Sequence, residues 1–240
     1  MTPHSALPAP IIERRFEDSG TLAEALADEV AARLDHALSE RERASLIVSG
    51  GSTPISLFRE LRTRPLPWLR IDVTLADERW VEPDHPDSNE RLVRRELLQD
   101  AAAAANLIPL KTPADTPDAA IGECSARLSH LFTPFDVVIL GMGNDGHTAS
   151  LFPHTAALDI GLQPDGDALL VSCHPAEAPH ARLSMTLSAL LNTRHLVLHI
   201  TGKDKRQVLE KALTGTEIRA MPIRALLQQN RTPIHVYWTG

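Results

Sequence analysis

The feature that most constrains this chain is the regular alternation of short apolar runs with longer amphipathic stretches. The runs at 45–49 and 135–140 are apolar at nearly every position, which is typical of parallel strands covered on both faces. The stretch 21–38 places Leu22 and Leu26 on one helical stripe, and its alanine content favours a helix. Alternation of this kind predicts an α/β fold, a doubly wound and mostly parallel sheet with helices on both faces (Rossmann-like).

The same patterns predict bounds for each element. The predicted strands are 11–16, 45–49, 70–76, 135–140, 168–173, 182–187, 195–200 and 234–238, with a short apolar run at 108–110. The predicted helices are 21–38, 54–61, 88–98, 118–132 and 203–213. The chain has no internal repeat, linker or break in composition. We therefore expect a single domain over 1–240, with a flexible, proline-rich leader at 1–10.

Composition excludes several classes of protein. Lys and Arg number 24 against 31 Asp and Glu, a net charge of -7, so the chain lacks the cationic surface that coats nucleic acid. The sequence has no signal-peptide pattern and no apolar run near the ~20 residues that span a bilayer. Cys124 and Cys173 form no C-x-x-C pair and are expected to be buried, reduced thiols. We expect a cytoplasmic monomer or small homo-oligomer without nucleic-acid or membrane partners, in which any bound phosphate is met by local cations.

One candidate anion site follows the strand at 45–49. Ligands of parallel sheets bind beyond the carboxyl ends of the strands, and Gly50 and Gly51 let the backbone turn and approach a ligand closely there. Ser52 or Thr53 is expected to cap the next helix, with Pro54 in its first turn. The segment alone fits an anion site or an ordinary strand-to-helix turn. A Walker loop is excluded, because no G-K-[ST] follows.

A second glycine-rich loop follows the strand at 135–140. Its sequence at 141–146 matches the G-x-G-x-x-G dinucleotide fingerprint, but Pro153 and Pro164 leave no room for the long helix that the fingerprint needs. Nicotinamide binding is therefore not favoured. The loop instead presents Asp145 and His147 two residues apart, and a histidine beside a carboxylate suits a general base near neutral pH.

Three cations lie at the ends of predicted strands. Arg79 follows the strand at 70–76, Arg182 opens the strand at 182–187, and Lys205 begins the helix after 195–200. Each is compatible with a surface charge, yet Arg79 at this edge of the sheet could hold an oxyanion bidentately.

The other histidines give no metal site. His195 and His199 share a strand face about 13 Å apart, too far to share an ion, and no H-E-x-x-H motif occurs. We expect no metal and no cofactor. His154 is a candidate for the rim of the pocket.

Five motifs occur in order over nearly the whole chain: GGSTP (50–54), ADERWV with a later SN (76–81, 88–89), GMGNDGHTASLFP (141–153), RLSMTLSAL (182–190) and TGKDK (201–205). Together they closely resemble the 6-phosphogluconolactonase family, which shares a superfamily with the glucosamine-6-phosphate isomerases. The resemblance implies hydrolysis of 6-phospho-D-glucono-1,5-lactone, a step of the oxidative pentose phosphate pathway. It also implies that His147 is the catalytic base and that the sugar phosphate is bound by Gly50, Gly51, Ser52, Arg79, Arg182 and Lys205.

Further roles in this resemblance are hypotheses. Asp145 would orient His147 or cap its loop, and N–H groups around Gly141, Gly143 and Gly146 would bind an oxyanion. The isomerases typically carry an Asn-Glu-Pro stretch after the histidine, whereas 149–153 has no carboxylate, which favours the lactonase. A glucosamine-6-phosphate isomerase (deaminase) and a non-catalytic sugar-phosphate sensor stay open as alternatives.

Overall fold

The alternation in the sequence folds into a seven-stranded parallel sheet. The protein is seen in a computed structural model that describes residues 9–176 and 178–240. In spatial order the strands are β1 (Ile11–Phe16), β10 (Ile234–Thr239), β9 (Leu196–Thr201), β6 (Val137–Leu140), β2 (Ala44–Val48), β3 (Ile71–Leu75) and β5 (Asn106–Ile108), numbered along the chain. The predicted fold class is confirmed.

A second, three-stranded antiparallel sheet was not expected from the sequence. Its strands lie in the order β4 (Asp77–Arg79), β8 (Arg182–Met185) and β7 (Leu170–Cys173). The strands predicted at 168–173 and 182–187 therefore exist but do not join the main sheet. Such short strands carry too little periodicity to indicate which sheet they enter.

The predicted helices are confirmed, with ends that differ by up to four residues. They are α1 (Ser19–Glu40), α2 (Ile55–Leu61), α3 (Asn89–Glu96), α4 (Pro117–Leu128) and α7 (Lys203–Thr214). Single turns of helix escaped prediction: α5 (Leu158–Gly161), α6 (Leu187–Leu191), α8 (Ile223–Leu227) and the 3₁₀ turns Trp68–Arg70 and Asp100–Ala104. The strand predicted at 182–187 ends early because Thr186 caps α6, accepting a hydrogen bond from the backbone N–H of Ala189.

The order of the strands defines a switch point. The chain runs from β2 to β3 and β5 in one direction, and from β6 to β9 and β10 in the other. Right-handed crossovers place the helices of the two halves on opposite faces. Ligands of doubly wound sheets bind in the crevice at such a point, and the loops after β2 and β6 both leave the sheet there.

The start of the described chain is part of the fold. The backbone N–H of Ala9 donates to Gln229 O at 2.7 Å, and Pro10 O accepts from Ile234 N at 3.0 Å. The predicted leader therefore does not extend to residues 9 and 10, and its residues 1–8 lie outside the described part.

The two cysteines are buried, as expected. Burial raises the pKa of Cys124 to about 11 and that of Cys173 to about 12. No helix within 9–176 or 178–240 is both long enough and apolar enough to cross a bilayer.

Candidate active site

A cavity of about 270 Å³ opens at the switch point between β2 and β6. Its walls come from the loops after β2, β6 and β9 and from the strands β4 and β8. The sequence-predicted residues that line it are Gly50, Gly51, Ser52, Arg79, Gly141, Gly143, His147, Arg182 and Lys205. Asp145 and Gly146 belong to the loop that carries His147 but do not line the cavity, and neither does His154. The fold thus gathers residues that are up to 155 positions apart, from Gly50 to Lys205.

His147 and Asp145 form a hydrogen-bonded pair. Asp145 Oδ1 lies 2.6 Å from His147 Nδ1 and also accepts the backbone N–H of His147 at 3.1 Å. Burial opposes the ionisation of Asp145, but the hydrogen bonds from His147 hold its pKa below the usual value. Because a carboxylate only accepts, Nδ1 carries the proton, and in the neutral ring Nε2 has a free lone pair. The pair therefore presents a base.

The glycines of this loop make room for the pair. A Cβ on Gly143 would lie 2.2 Å from the His147 ring, so a side chain there would displace the base. Gly146 has a φ of +82°, the left-handed region that glycine adopts without strain. The amides of Gly143 and Gly146 already donate to His147 O and Gly143 O, at 2.9 and 3.1 Å. The expected oxyanion donors therefore do not include these two groups.

Phe152 connects the base to one of the cations. Its ring centroid lies 4.2 Å from that of His147, with a tilt of 30° between the planes. The guanidinium carbon of Arg182 lies 4.9 Å from the same ring. One aromatic side chain thus supports both His147 and Arg182, within the range of cation–π contacts.

Arg79 and Arg182 face each other across one ladder. They are register partners in the antiparallel pair of β4 and β8. Burial, followed by repulsion from Arg79, lowers the pKa of Arg182, which is only 7% exposed. Like charges placed opposite each other destabilise a sheet, and the Nε atom of each arginine has no hydrogen-bond partner among the described residues. An anion bound between the two arginines would relieve their repulsion and accept hydrogen bonds from their Nε–H groups.

Lys205 lies near the hydrogen-bonded pair of Asp145 and His147. It follows Gly202, whose φ of +94° turns the chain from β9 into α7. Burial lowers the pKa of the Lys205 ammonium, and the nearby Asp145 carboxylate opposes that shift. Lys205 therefore adds a third cation to the cavity, close enough to the Asp145 carboxylate for the two charges to interact.

The loop after β2 is held by close backbone packing. A Cβ on Gly50 would lie 1.8 Å from the Asn89 side-chain oxygen, and Gly51 has a φ of +91°. The prediction that Ser52 or Thr53 caps α2 is wrong. Pro54 occupies the cap position, and no side chain there accepts a hydrogen bond from the helix.

Glu78 is a buried anchor rather than a solvent-exposed charge. Its carboxylate accepts the backbone N–H groups of Arg79, Asn89 and Glu90, at 2.7 to 2.8 Å, and the hydroxyl of Ser88 at 3.1 Å. Burial raises its pKa to about 7 in spite of these donors. The bonds tie β4 to the start of α3, and so fix Asn89 and Arg79 in the cavity wall.

Sequence reasoning missed several residues that line the cavity. Asp77 accepts a hydrogen bond from the Ser150 hydroxyl at 2.5 Å, and Asn89 donates to Asp77 O at 2.8 Å. The motif ADERWV with its later SN contained both Asp77 and Asn89. His199 also lines the cavity, although its strand gave no sign that one position faces a ligand.

One group of side chains in the described ranges has the composition of a metal site: His85, Asp87 and His180. Here the Asp87 carboxylate lies 2.9 Å from His180 Nε2, and His85 Nδ1 accepts the Asp87 N–H at 3.1 Å. The Asp87 carbonyl also accepts from Arg79 Nη1 at 2.6 Å. Hydrogen bonding accounts for the group, which clamps the loop beside Arg79 to the loop before Arg182, and two nearby guanidinium groups disfavour a cation.

Comparison with known proteins decides the family. The model of the family described as glucosamine-6-phosphate isomerases/6-phosphogluconolactonase matches residues 17–238. The chain belongs to this family. The isomerase/lactonase family member of Rhizobium meliloti (strain 1021), a 6-phosphogluconolactonase, is 46% identical over 223 residues, 93% of this chain and 96% of that protein.

Two further relatives of the isomerase/lactonase family are also lactonases. The 6-phosphogluconolactonase of Pseudomonas aeruginosa PAO1 is 41% identical over 97% of this chain and 96% of its own length. The crystal structure of a 6-phosphogluconolactonase from Shewanella baltica OS155 matches with a TM-score of 0.94 at 44% identity, over 98% of this chain and 100% of that chain. The resemblance stated from the motifs is confirmed.

Proposed function

We propose that this protein is a 6-phosphogluconolactonase, which hydrolyses 6-phospho-D-glucono-1,5-lactone to 6-phosphogluconate in the oxidative pentose phosphate pathway. The single observation that carries the proposal is the His147–Asp145 pair, 2.6 Å apart, at a cavity that also holds Arg79, Arg182 and Lys205. A base and a cationic cluster in one cavity suit a substrate with two parts: a neutral ester group that is hydrolysed and a phosphate group, elsewhere in the molecule, that binds the cations. The lactonases among its relatives support the same assignment.

Phosphate binding comes first in the mechanism. The dianion lies between Arg79 and Arg182, near Lys205 and the backbone of the loop after β2, where it relieves the repulsion between the two arginines. This contact fixes the sugar, so that the lactone carbonyl carbon C1 comes to His147. Holding reactants in this way converts a bimolecular step into an effectively unimolecular one.

His147 then acts as general base. As the oxygen of a water molecule bonds to C1, Nε2 takes a proton from that water, and the carbonyl oxygen becomes the oxyanion of a tetrahedral intermediate. Asp145 accepts a hydrogen bond from Nδ1–H throughout, so it fixes the ring and stabilises the imidazolium that forms.

Collapse of the intermediate completes the reaction. The C1 carbonyl re-forms, the bond from C1 to the ring oxygen breaks, and His147 returns its proton to that oxygen as it leaves. The product is an open-chain acid that loses a proton to water. The step needs neither an oxidant nor a cofactor, and we place the enzyme in the cytoplasm.

A pH-stat assay tests the proposal. Purified protein is expected to hydrolyse the phosphorylated δ-lactone much faster than the unphosphorylated δ-gluconolactone, which lacks the group that the cations bind. His147→Ala should keep its fold, judged by circular dichroism, and lose about 10²–10⁴-fold in kcat.

Near wild-type turnover in His147→Ala would contradict the mechanism. Release of ammonia from glucosamine 6-phosphate without lactone hydrolysis would instead establish the deaminase. Binding of 6-phosphogluconate with neither reaction would establish a sensor.

A further inference from the structure

His199 is a buried polar side chain that the mechanism above does not use. It lies in β9, two residues before the strand ends, and is only 3% exposed. Neither Nδ1 nor Nε2 has a hydrogen-bond partner among the described residues, although the side chain lines the cavity. An imidazole with two unsatisfied nitrogens in a protein interior is costly, and a leucine at the same place would not be.

The neighbours of His199 show why it stays unpaired within the protein. On β6 the register partner of Val197 is Ile139, so His199 lies further along the same face, beside the end of β6. Apolar Ile139 and Phe58 also line the cavity, and neither offers a donor or an acceptor. On β10 the register partner of His199 is Tyr237, whose buried hydroxyl has no hydrogen-bond partner among the described residues either. The imidazole is therefore free to pair with a molecule bound in the cavity.

The chemistry of the side chain restricts that partner. Burial lowers the pKa of His199 to about 4, so the ring is neutral near pH 7 and offers one donor and one acceptor. A phosphate dianion would pair best with a cationic side chain, and the cavity has arginines for that role rather than the neutral His199. A hydroxyl group, which both donates and accepts, matches a neutral imidazole.

We propose that His199 is a specificity-determining residue that binds one ring hydroxyl of the sugar lactone from the floor of the cavity. The proposal rests on the proposed function, since it takes the phosphorylated lactone as the substrate. That lactone carries hydroxyl groups at C2, C3 and C4, and one of them meets His199 while the phosphate is held by the arginines. Sites that hydrogen-bond a hydroxyl reject analogues that lack it, because their own polar groups are then left unpaired.

The test compares four phosphorylated δ-lactones: the parent compound and the analogues without the hydroxyl at C2, C3 or C4. For the wild type, kcat/KM is expected to fall about tenfold or more for at least one deoxy analogue. In His199→Leu the parent should lose a similar factor, while the analogue without the contacted hydroxyl loses none. The ratio of parent to analogue should thus approach one at that position only. His199→Gln keeps a donor and an acceptor, and should retain part of the ratio.

His195→Leu is the matched control. His195 precedes β9 by one residue, faces the same side as His199 and is equally buried at 3%, but lies away from the cavity and contacts the His235 ring at 4.3 Å. Its replacement should change stability and leave all three ratios as in the wild type.

Each outcome has one meaning. Ratios that survive unchanged in His199→Leu, including a uniform loss on all four lactones, overturn the proposal and leave His199 a packing role. A wild type that accepts all three deoxy analogues as well as the parent overturns it without any variant, even if His199→Leu fails to fold. A wild type that hydrolyses no phosphorylated lactone contradicts the proposed function itself, and with it the substrate assigned to His199.

Discussion

At the scale of single residues, His147 and His199 differ in which of their ring nitrogens are hydrogen-bonded. In His147 the carboxylate of Asp145 holds one nitrogen and leaves the other for chemistry. In His199 both nitrogens are unpaired within the described protein and burial keeps the ring neutral. The same side chain thus suits the two different roles proposed above because its surroundings differ.

Asp145→Asn is expected to lower kcat by about 10–100-fold, because a hydrogen bond to a charged group of ~1.5–3 kcal/mol is replaced by a neutral one. The Michaelis constant should change little, since the Asp145 carboxylate does not line the cavity. Stopped-flow or pH-stat kinetics separate the two constants. A rise in KM with unchanged kcat would show that Asp145 acts on binding rather than on His147.

Arg182→Gln is expected to raise the KM of the phosphorylated lactone by about tenfold or more, because a charged hydrogen bond to the phosphate is lost. Hydrolysis of the unphosphorylated lactone should be unaffected, because that compound has no phosphate to bind. Parallel assays with both lactones measure the difference. Equal losses on the two compounds would place Arg182 near the reacting carbon instead.

At the scale of elements, the sequence predicted the long helices and the strands of the main sheet, and it missed the short elements. Periodicity and propensity gave the strands of the main sheet and the long helices, since many residues report on each. The three-residue strand β4 lay inside a charged run, Asp77 to Arg79, that could equally be solvated. Its pairing with β8, which brings Arg79 opposite Arg182, depends on contacts between positions more than a hundred residues apart.

The connection of β4 to α3 gives a pH-dependent stability. The Glu78 carboxyl has a pKa of about 7 in the folded protein and 4.5 as the reference value. Between these values the unfolded chain loses the proton first, so the free energy of unfolding should fall as the pH rises from about 5 to 7. Urea unfolding of the wild type and of Glu78→Gln at pH 5.0 and 7.5 measures this pH dependence of the unfolding free energy.

The difference in unfolding free energy between the two proteins should be larger at pH 5.0 than at pH 7.5. Glu78→Gln cannot titrate at this position, so histidine and surface contributions cancel in the comparison. The same difference at both pH values would show that the folded carboxyl is ionised throughout.

At the scale of the whole molecule, the cavity exists only when distant parts of the chain come together. Arg79 and Arg182 lie in β4 and β8, whereas residues 50–52, His147 and Lys205 follow β2, β6 and β9, and all of them line the cavity. The general location was predictable, because the carboxyl ends of parallel strands share an edge. The presence of His199 in the cavity wall could not be predicted, because a strand residue buried in a cavity wall and one buried in a core have the same sequence pattern.

Inorganic phosphate should stabilise the whole protein, because it binds only the folded cation cluster. At about 100 times its Kd it would add ~2.7 kcal/mol, or roughly 5–10 °C in Tm for a chain of this length. Differential scanning fluorimetry with phosphate, against sodium chloride at matched ionic strength, measures the shift. The double variant Arg79→Gln, Arg182→Gln should shift much less, and an equal shift would place the anion elsewhere.

The burial of Cys124 and Cys173 has a practical consequence for following this molecule in solution. With pKa values of about 11 and 12, these thiols stay protonated at neutral pH and react slowly with maleimides. They are the only cysteines in the sequence. A cysteine introduced at an exposed position of a helix, at Ala119 in α4 for instance, would therefore carry a single fluorophore without removal of either native thiol.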